Sequence, residues 1–187
     1  MNFLEVYDNL LSKEECDKVI NVFEKIDPLS GRLIYDPPDG HRRSTSLYCD
    51  VLEDLWKDFN DPICSALDKG LSLYKEKYSF LENKKIDSWR LHRYYNIQKY
   101  KEGQGYYALH CEHMYENPQR ILAWMIYLND AECGTQFPYQ DITLEAKTGR
   151  LALWPAAWTH PHKGVTPNIG NKYIATGWYE YQNYKKD

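Results

Sequence analysis

Only six histidines occur in 187 residues, and four fall in two tight groups, His110 with His113 and His160 with His162. His110-Cys111-Glu112 is an H-x-E step closing a run, 106–110, that reads as a strand. Side chains at i and i+2 of an extended segment point to one side, so this imidazole and carboxylate can bind one ion together. A second histidine from a distant strand would complete a face of three ligands. Two histidines and one carboxylate leave adjacent coordination positions open, an arrangement suited to ferrous iron in oxygen chemistry. An isolated H-x-E step is usually incidental, and so is a histidine pair beside a turn. Further residues at workable distances must decide.

Lys172 supplies one such residue. It lies ten positions after His162, past the Pro167-Asn168-Ile169-Gly170 turn, at the start of another strand-like run. If a hairpin carries it inward, its ammonium needs a partner, because an unpaired interior charge is strongly unfavourable. A dicarboxylate could chelate the metal with one end and meet Lys172 with the other in a charge-assisted bond. A solvent-exposed lysine at a strand end is the plainer reading. His160 rivals His162, since the two share a face if the strand continues through Pro161. It ranks second because it stands twelve residues from Lys172 and lacks the H-x-G context of His162-Lys163-Gly164. On a strand, His113 would face away from His110.

The elements that must hold these groups follow from periodicity. Residues 12–27 read as an amphipathic helix opened by a Ser12/Glu15 capping box, with Val19, Ile20, Phe23 and Ile26 on one face. Residues 28–50 carry Pro28, Gly31, Pro37, Pro38 and Gly40 and read as a loop with a short hairpin. A second helix spans 51–78, with an interruption expected at Pro62. From Ser88 the pattern turns to short strands at 89–97, 106–110, 121–128, 134–137, 142–144, 149–154 and 172–181. Helices followed by many strands indicate an α+β, mainly β fold: a barrel or sandwich with the helices packed outside. The length suits one domain, 1–187, with helical support over 1–87 and a β core over 88–182.

Composition narrows the partners. A net charge of −4 gives no footprint for nucleic acid, and His41-Arg42-Arg43 reads as a short solvated run. The five cysteines are irregularly spaced with no CxxC pair, and the first residues carry early acids and no long apolar run. A cytoplasmic protein without membrane contact is expected. The 17 tyrosines and 6 tryptophans call for an aromatic interior or cleft.

From about Trp89 to Tyr181 the chain resembles the iron(II)- and 2-oxoglutarate-dependent oxygenase superfamily, in its prolyl 4-hydroxylase-like branch. A weaker match lies at the opening DNLLSKEECDKVI. The resemblance rests on H-x-E, the distal His162 and Lys172 ten residues on. Gln98-Lys99-Tyr100 with Gly105-Tyr106-Tyr107, Met125-Ile126-Tyr127-Leu128-Asn129 and Cys133-Gly134-Thr135-Gln136-Phe137 add to it. So does the closing run Lys172–Trp178. It implies a double-stranded β-helix, or jelly roll, with His110, Glu112 and His162 on iron. It further implies Lys172, Tyr100, Tyr127 and Thr176 around 2-oxoglutarate, with Trp178 on the pocket wall. The branch mostly has aspartate where this chain has Glu112, a longer arm that puts the binding geometry in question.

The implied reaction consumes dioxygen and 2-oxoglutarate, releases succinate and carbon dioxide, and hydroxylates an unactivated C–H bond; ascorbate is an optional accessory. A prolyl residue of a peptide or protein is the leading substrate, with 36–46 (DPPDGHRRSTS) as a lid or an ordinary loop. A free amino acid or other small molecule is the alternative, and a non-catalytic jelly-roll binding module a third. A cupin-type centre on His160-x-His162 needs a nearby glutamate and a later histidine, but position 166 is threonine and no histidine follows His162. Oligomeric state is not legible.

Overall fold

Side chains along the C-terminal strands alternate between two faces, both of them covered in the central strands, and that alternation builds the site. The computed structural model describes residues 1–36, 40–83 and 88–182. Its elements are β1 (Glu5–Tyr7), α1 (Lys13–Glu24), β2 (Leu33–Tyr35), β3 (Thr45–Asp50), α2 (Lys57–Lys77), β4 (Trp89–Leu91) and β5 (Tyr94–Tyr100). They continue with β6 (Arg120–Tyr127), β7 (Ala131–Phe137), β8 (Ile142–Ala146), β9 (Leu151–Pro155), β10 (Lys163–Gly164) and β11 (Lys172–Tyr181). The larger sheet runs β1-β9-β6-β11-β5-β3-β2, with β4 on the far end of β11; the smaller runs β10-β7-β8.

The two faces of the larger sheet do different work. Trp124, Ile126, Leu153 and Ala175 pack outward against Val19 and Phe23 of α1 and Ile63 and Leu67 of α2. Met125, Tyr127, Trp154 and Ile174 face inward and meet Phe137, Leu144 and Ala146 of the smaller sheet. This is the expected mainly β jelly roll with helices outside. Lys172, Thr176 and Trp178 share the inward parity of Ile174 and open into the space between the sheets.

Several local expectations change. The N-terminal segment is more than helical support: β1 pairs with β9, and β2 and β3 extend the larger sheet beyond β5. α1 opens with the Ser12/Glu15 capping box but ends at Glu24, because Asp27 and Pro28 begin a 3-10 turn. α2 runs through Pro62 without interruption. Proline in a helix interior costs about 3 kcal/mol. Phe59, Ile63, Ala66 and Leu67 are all buried around it, and full burial of each larger side chain returns roughly 1.5–3 kcal/mol. Residues 106–110 form no strand. Tyr106 bridges Arg42 whereas His110 bridges His162, so no single partner strand exists. Residues 37–39 of the 36–46 segment, and 84–87, lie outside the described residues.

Candidate active site

His110 and His162 exchange backbone hydrogen bonds, His110 N to His162 O at 3.1 Å and His162 N to His110 O at 2.8 Å. This pairing brings residues 52 positions apart side by side. The amide of Glu112 donates to Ala156 O at 3.0 Å and fixes the other end of the H-x-E step. In consequence one donor atom each from His110, Glu112 and His162 lies within 4.8 Å of the others. Both imidazole Nε2 atoms stand 3.5 Å from Glu112 Oε1.

Ring tautomers follow from the backbone. His110 Nδ1 faces Ala108 O at 3.1 Å and His162 Nδ1 faces His160 O at 3.0 Å. A carbonyl only accepts, so each Nδ1 carries the proton and each Nε2 presents a lone pair to the centre. Tyr106 stacks on His110 at 3.8 Å between ring centroids, while Phe137 and Trp154 enclose the His162 ring. Three electron-rich atoms converge, and only positive charge can satisfy them together.

The second carboxylate oxygen is held elsewhere. Trp178 Nε1 donates to Glu112 Oε2 at 2.8 Å and Arg120 Nη1 donates to it at 3.3 Å. The Arg120 guanidinium lies 3.4 Å over the Trp178 ring. The longer glutamate arm is thereby clamped with Oε1 turned to the histidines. Trp178, expected on the wall, is also a positioning residue.

A cavity of about 210 Å³ opens from this centre and is closed at depth by Lys172. Lys172 is 2% exposed. Its ammonium donates to Gly134 O and Val165 O, both at 3.1 Å, and sits 5.0 Å from the Tyr100 ring centroid. Burial pushes its pKa below the ordinary lysine value. Tyr100 and Thr176 line the same cavity; their hydroxyls donate to Gln98 Oε1 at 2.7 Å and Trp124 O at 2.8 Å. Tyr127 does not line it. Fully buried behind the wall, it donates its hydroxyl to Thr135 Oγ1 at 2.9 Å, and Thr135 takes the wall position expected of Tyr127. Gln98, Thr135, Arg42 and Arg120 are wall residues that sequence reasoning missed. Gln98 was within reach, because it stands two before Tyr100 on one strand.

Neither rival histidine joins the centre. His160 Nε2 pairs with Asn2 O at 2.6 Å and its Nδ1 with Thr159 Oγ1 at 2.9 Å, so both ring nitrogens are engaged. His113 turns its Nδ1 to Arg120 O at 3.1 Å.

Residues 95–180, which span β5 to β11 and contain the whole centre, match the family model of the 2OG-Fe(II) oxygenase superfamily. That stretch carries the superfamily's signature. The chain has the fold of solved prolyl hydroxylases. A viral collagen prolyl hydroxylase from Paramecium bursaria Chlorella virus-1, solved with 2OG, superposes with a TM-score of 0.66 at 24% identity, covering 95% of each chain. A Pseudomonas putida prolyl-4-hydroxylase gives 0.72 at 16% identity, over 98% of this chain and 95% of that one. A Trichoplax adhaerens prolyl hydroxylase, solved with a hypoxia inducible factor oxygen degradation domain peptide fragment, gives 0.71 at 19%, over 97% and 85%. A search of curated proteins finds no match. Iron(II) with 2-oxoglutarate suits the residues found: a His/Glu/His face beside a buried ammonium.

Proposed function

We propose that the chain hydroxylates an unactivated C–H bond of a prolyl residue in a peptide or protein, releasing succinate and carbon dioxide. The observation that carries this reading is the pair of needs in one cavity. His110, Glu112 and His162 present lone pairs that require a cation, and Lys172 is a buried cation with no carboxylate among the described residues. An iron-chelating dicarboxylate meets both. In this reading the two histidines and Glu112 hold iron, and Lys172 with Thr135 and Tyr100 holds the far carboxylate of 2-oxoglutarate. Tyr127 supports Thr135 from behind. Thr176 and Trp178 form the wall, and Trp178 with Arg120 keeps Glu112 aimed.

The bound iron and cosubstrate supply the oxidation, using dioxygen, with ascorbate as an accessory reductant. The chain supplies orientation and a dry wall. Trp154, Phe137 and Ile174 exclude water between metal and lysine, and Tyr48 and Met114, 52% and 43% exposed, form an apolar rim where a pyrrolidine ring can rest. We read the chain as one domain, with 88–182 as catalytic core and 1–87 as support that completes the sheet. All five cysteines are free and no described helix is long and apolar enough to cross a membrane; these features favour a reducing compartment, the cytoplasm.

Two measurements test the proposal. Anaerobic iron(II) plus 2-oxoglutarate should give a weak visible charge-transfer band, and its absence would count against the pairing of metal and cosubstrate. Succinate release should rise with proline-containing peptides. A response to free amino acids alone would move the substrate to the small-molecule alternative, and no response to either would favour a binding module.

A further inference from the structure

Resting on the reading above, the cavity's charge balance extends it to the substrate. Three fixed cations line the cavity: Lys172, Arg120 and Arg42. Arg120 is matched by Glu112 at 3.3 Å, and Lys172 faces the cosubstrate. Arg42 has neither. No carboxylate among the described residues pairs with it, and its Nε is buried without a hydrogen-bond acceptor. Its neighbour Arg43 behaves as a surface residue should, pairing with Asp36 at 3.7 Å and remaining 59% exposed. The two differ in direction: Arg43 turns out, Arg42 turns in.

Arg42 is also held in place. Its backbone bridges Tyr106, while Arg43 N donates to Gly105 O at 3.0 Å and Tyr107 N donates to His41 O at 2.8 Å. The guanidinium carbon lies 5.8 Å from the Tyr106 ring centroid, and Tyr106 in turn stacks on His110. The side chain therefore reaches the rim one aromatic ring away from the metal ligands. With a divalent metal (+2), Glu112 (−1), Arg120 (+1), Lys172 (+1) and a dianionic cosubstrate (−2), the cavity carries +1 before Arg42 is added and +2 after. A guanidinium fork with buried donors matches a carboxylate in charge and in shape.

We propose that Arg42 is a specificity-determining residue that receives a carboxylate of the prime substrate. That carboxylate is either an acidic side chain beside the target proline or the α-carboxylate of a free amino acid. Both present the same chemistry to Arg42, and binding experiments separate them.

The test uses the full chain loaded with Mn(II) and 2-oxoglutarate under nitrogen, so that binding is read without turnover. The probes are blocked proline peptides bearing one Asp on either side of the proline, the same peptides with Asn, and free L-proline against L-prolinamide. At least one carboxylate probe should bind about 10–100-fold tighter than its amide twin. Arg42→Met should reduce that ratio to about threefold or less, with 2-oxoglutarate affinity unchanged as proof of an intact site. Arg42→Lys, which keeps charge but loses the fork, should fall between. The discriminating pair names the source of the carboxylate. The assignment fails if every twin pair binds alike in the parent protein or if Arg42→Met preserves the ratio. It also fails if that variant weakens 2-oxoglutarate instead, since Arg42 would then anchor the cosubstrate. Charge-selective binding without hydroxylation under iron and air would overturn the prolyl reading and leave the Arg42 assignment standing.

Discussion

Lys172→Met separates the cosubstrate role of this lysine from a structural one. Lys172 is 2% exposed, and its ammonium donates to the carbonyls of Gly134 and Val165 and lies 5.0 Å from the Tyr100 ring centroid. Removing it relieves a buried charge whose penalty is several kcal/mol. The loss on the other side is small. Gly134 O still accepts from Val165 N at 2.9 Å, so mainly Val165 O is left short, at about 1–3 kcal/mol. The metal-loaded variant without cosubstrate should therefore melt at or above the parent temperature.

With 2-oxoglutarate the outcome reverses. Breaking a buried charge pair costs about 3–5 kcal/mol, which weakens cosubstrate affinity by roughly 150–5000-fold. At a concentration one hundred times the parent's dissociation constant, binding stabilises the parent by about 2.7 kcal/mol. For a domain of this size that raises the melting temperature by roughly 5–11 °C, and the variant should show almost none of it. Differential scanning with Mn(II), with and without 2-oxoglutarate, reads both quantities. A variant that loses stability yet keeps the ligand shift would refute the reasoning and leave Lys172 as a brace for two carbonyls. The pH dependence has a definite sign. Burial sets the folded pKa below 10.5, so the unfolded chain binds more protons in that window. The parent should gain stability relative to the variant as pH rises from the depressed value towards 10.5.

Three further outcomes follow from the same geometry. Trp178→Phe removes the donor at 2.8 Å from Glu112 Oε2 and should weaken metal binding about 10–100-fold with the fold intact, as read by Co(II) titration and circular dichroism. His160→Ala breaks two part-buried hydrogen bonds and should lower the melting temperature while keeping the iron–2-oxoglutarate band; His162→Ala should abolish the band, and the opposite pattern would exchange their roles. Gly134→Ala places a methyl against the Leu144 carbonyl at the residue whose own carbonyl receives Lys172, so stability and cosubstrate affinity should fall together in a melting assay with and without 2-oxoglutarate.

What could be read from residues alone was whatever strand periodicity carries. Lys172, Thr176 and Trp178 fall two or four apart and share a face wherever β11 lies, so their common wall was legible. The choice of His162 over His160 followed from its distance to Lys172, but its cause was not visible: Asn2, 158 residues away, supplies the carbonyl that occupies His160. Arg120 was hidden by a bulge. Leu122 pairs with Tyr179 and Arg120 with Glu180, so β6 spends two residues against one, and Ile121 and Leu122 both pack outward. Alternation restarts beyond the bulge, and Arg120 turns inward against the parity that any count from Met125 predicts. Arg42 escaped for a different reason. A run of His-Arg-Arg in a turn-rich segment has the composition of a solvated loop, and only the pairing of 41–43 with 105–107 turns one arginine in.

Residues that break ordinary rules of stability are over-represented at the site. Among the described residues, four of the eight buried polar side-chain atoms without partners, Arg42 Nε, Asn96 Oδ1, Arg120 Nε and Trp154 Nε1, lie on the wall of this cavity, and the other four belong to Tyr7, Trp89, Trp124 and Gln140 elsewhere. Lys172, buried without an anion, lies among them, and so does a carboxylate facing two lone pairs. A core selected for stability alone would replace such groups with apolar ones of similar size, often at a gain. Their concentration between two otherwise well-packed sheets is what a site preorganised for charged ligands requires. The metal and cosubstrate then act on folding as well as on chemistry, because each ligand that binds only the folded chain adds to its stability. The free protein should consequently be the least stable form, with metal and 2-oxoglutarate together raising the melting temperature by more than the sum of their separate effects, since the cosubstrate chelates the metal that the triad holds. Purely additive shifts would mean that the two ligands bind apart, and the shared centre would have to be abandoned.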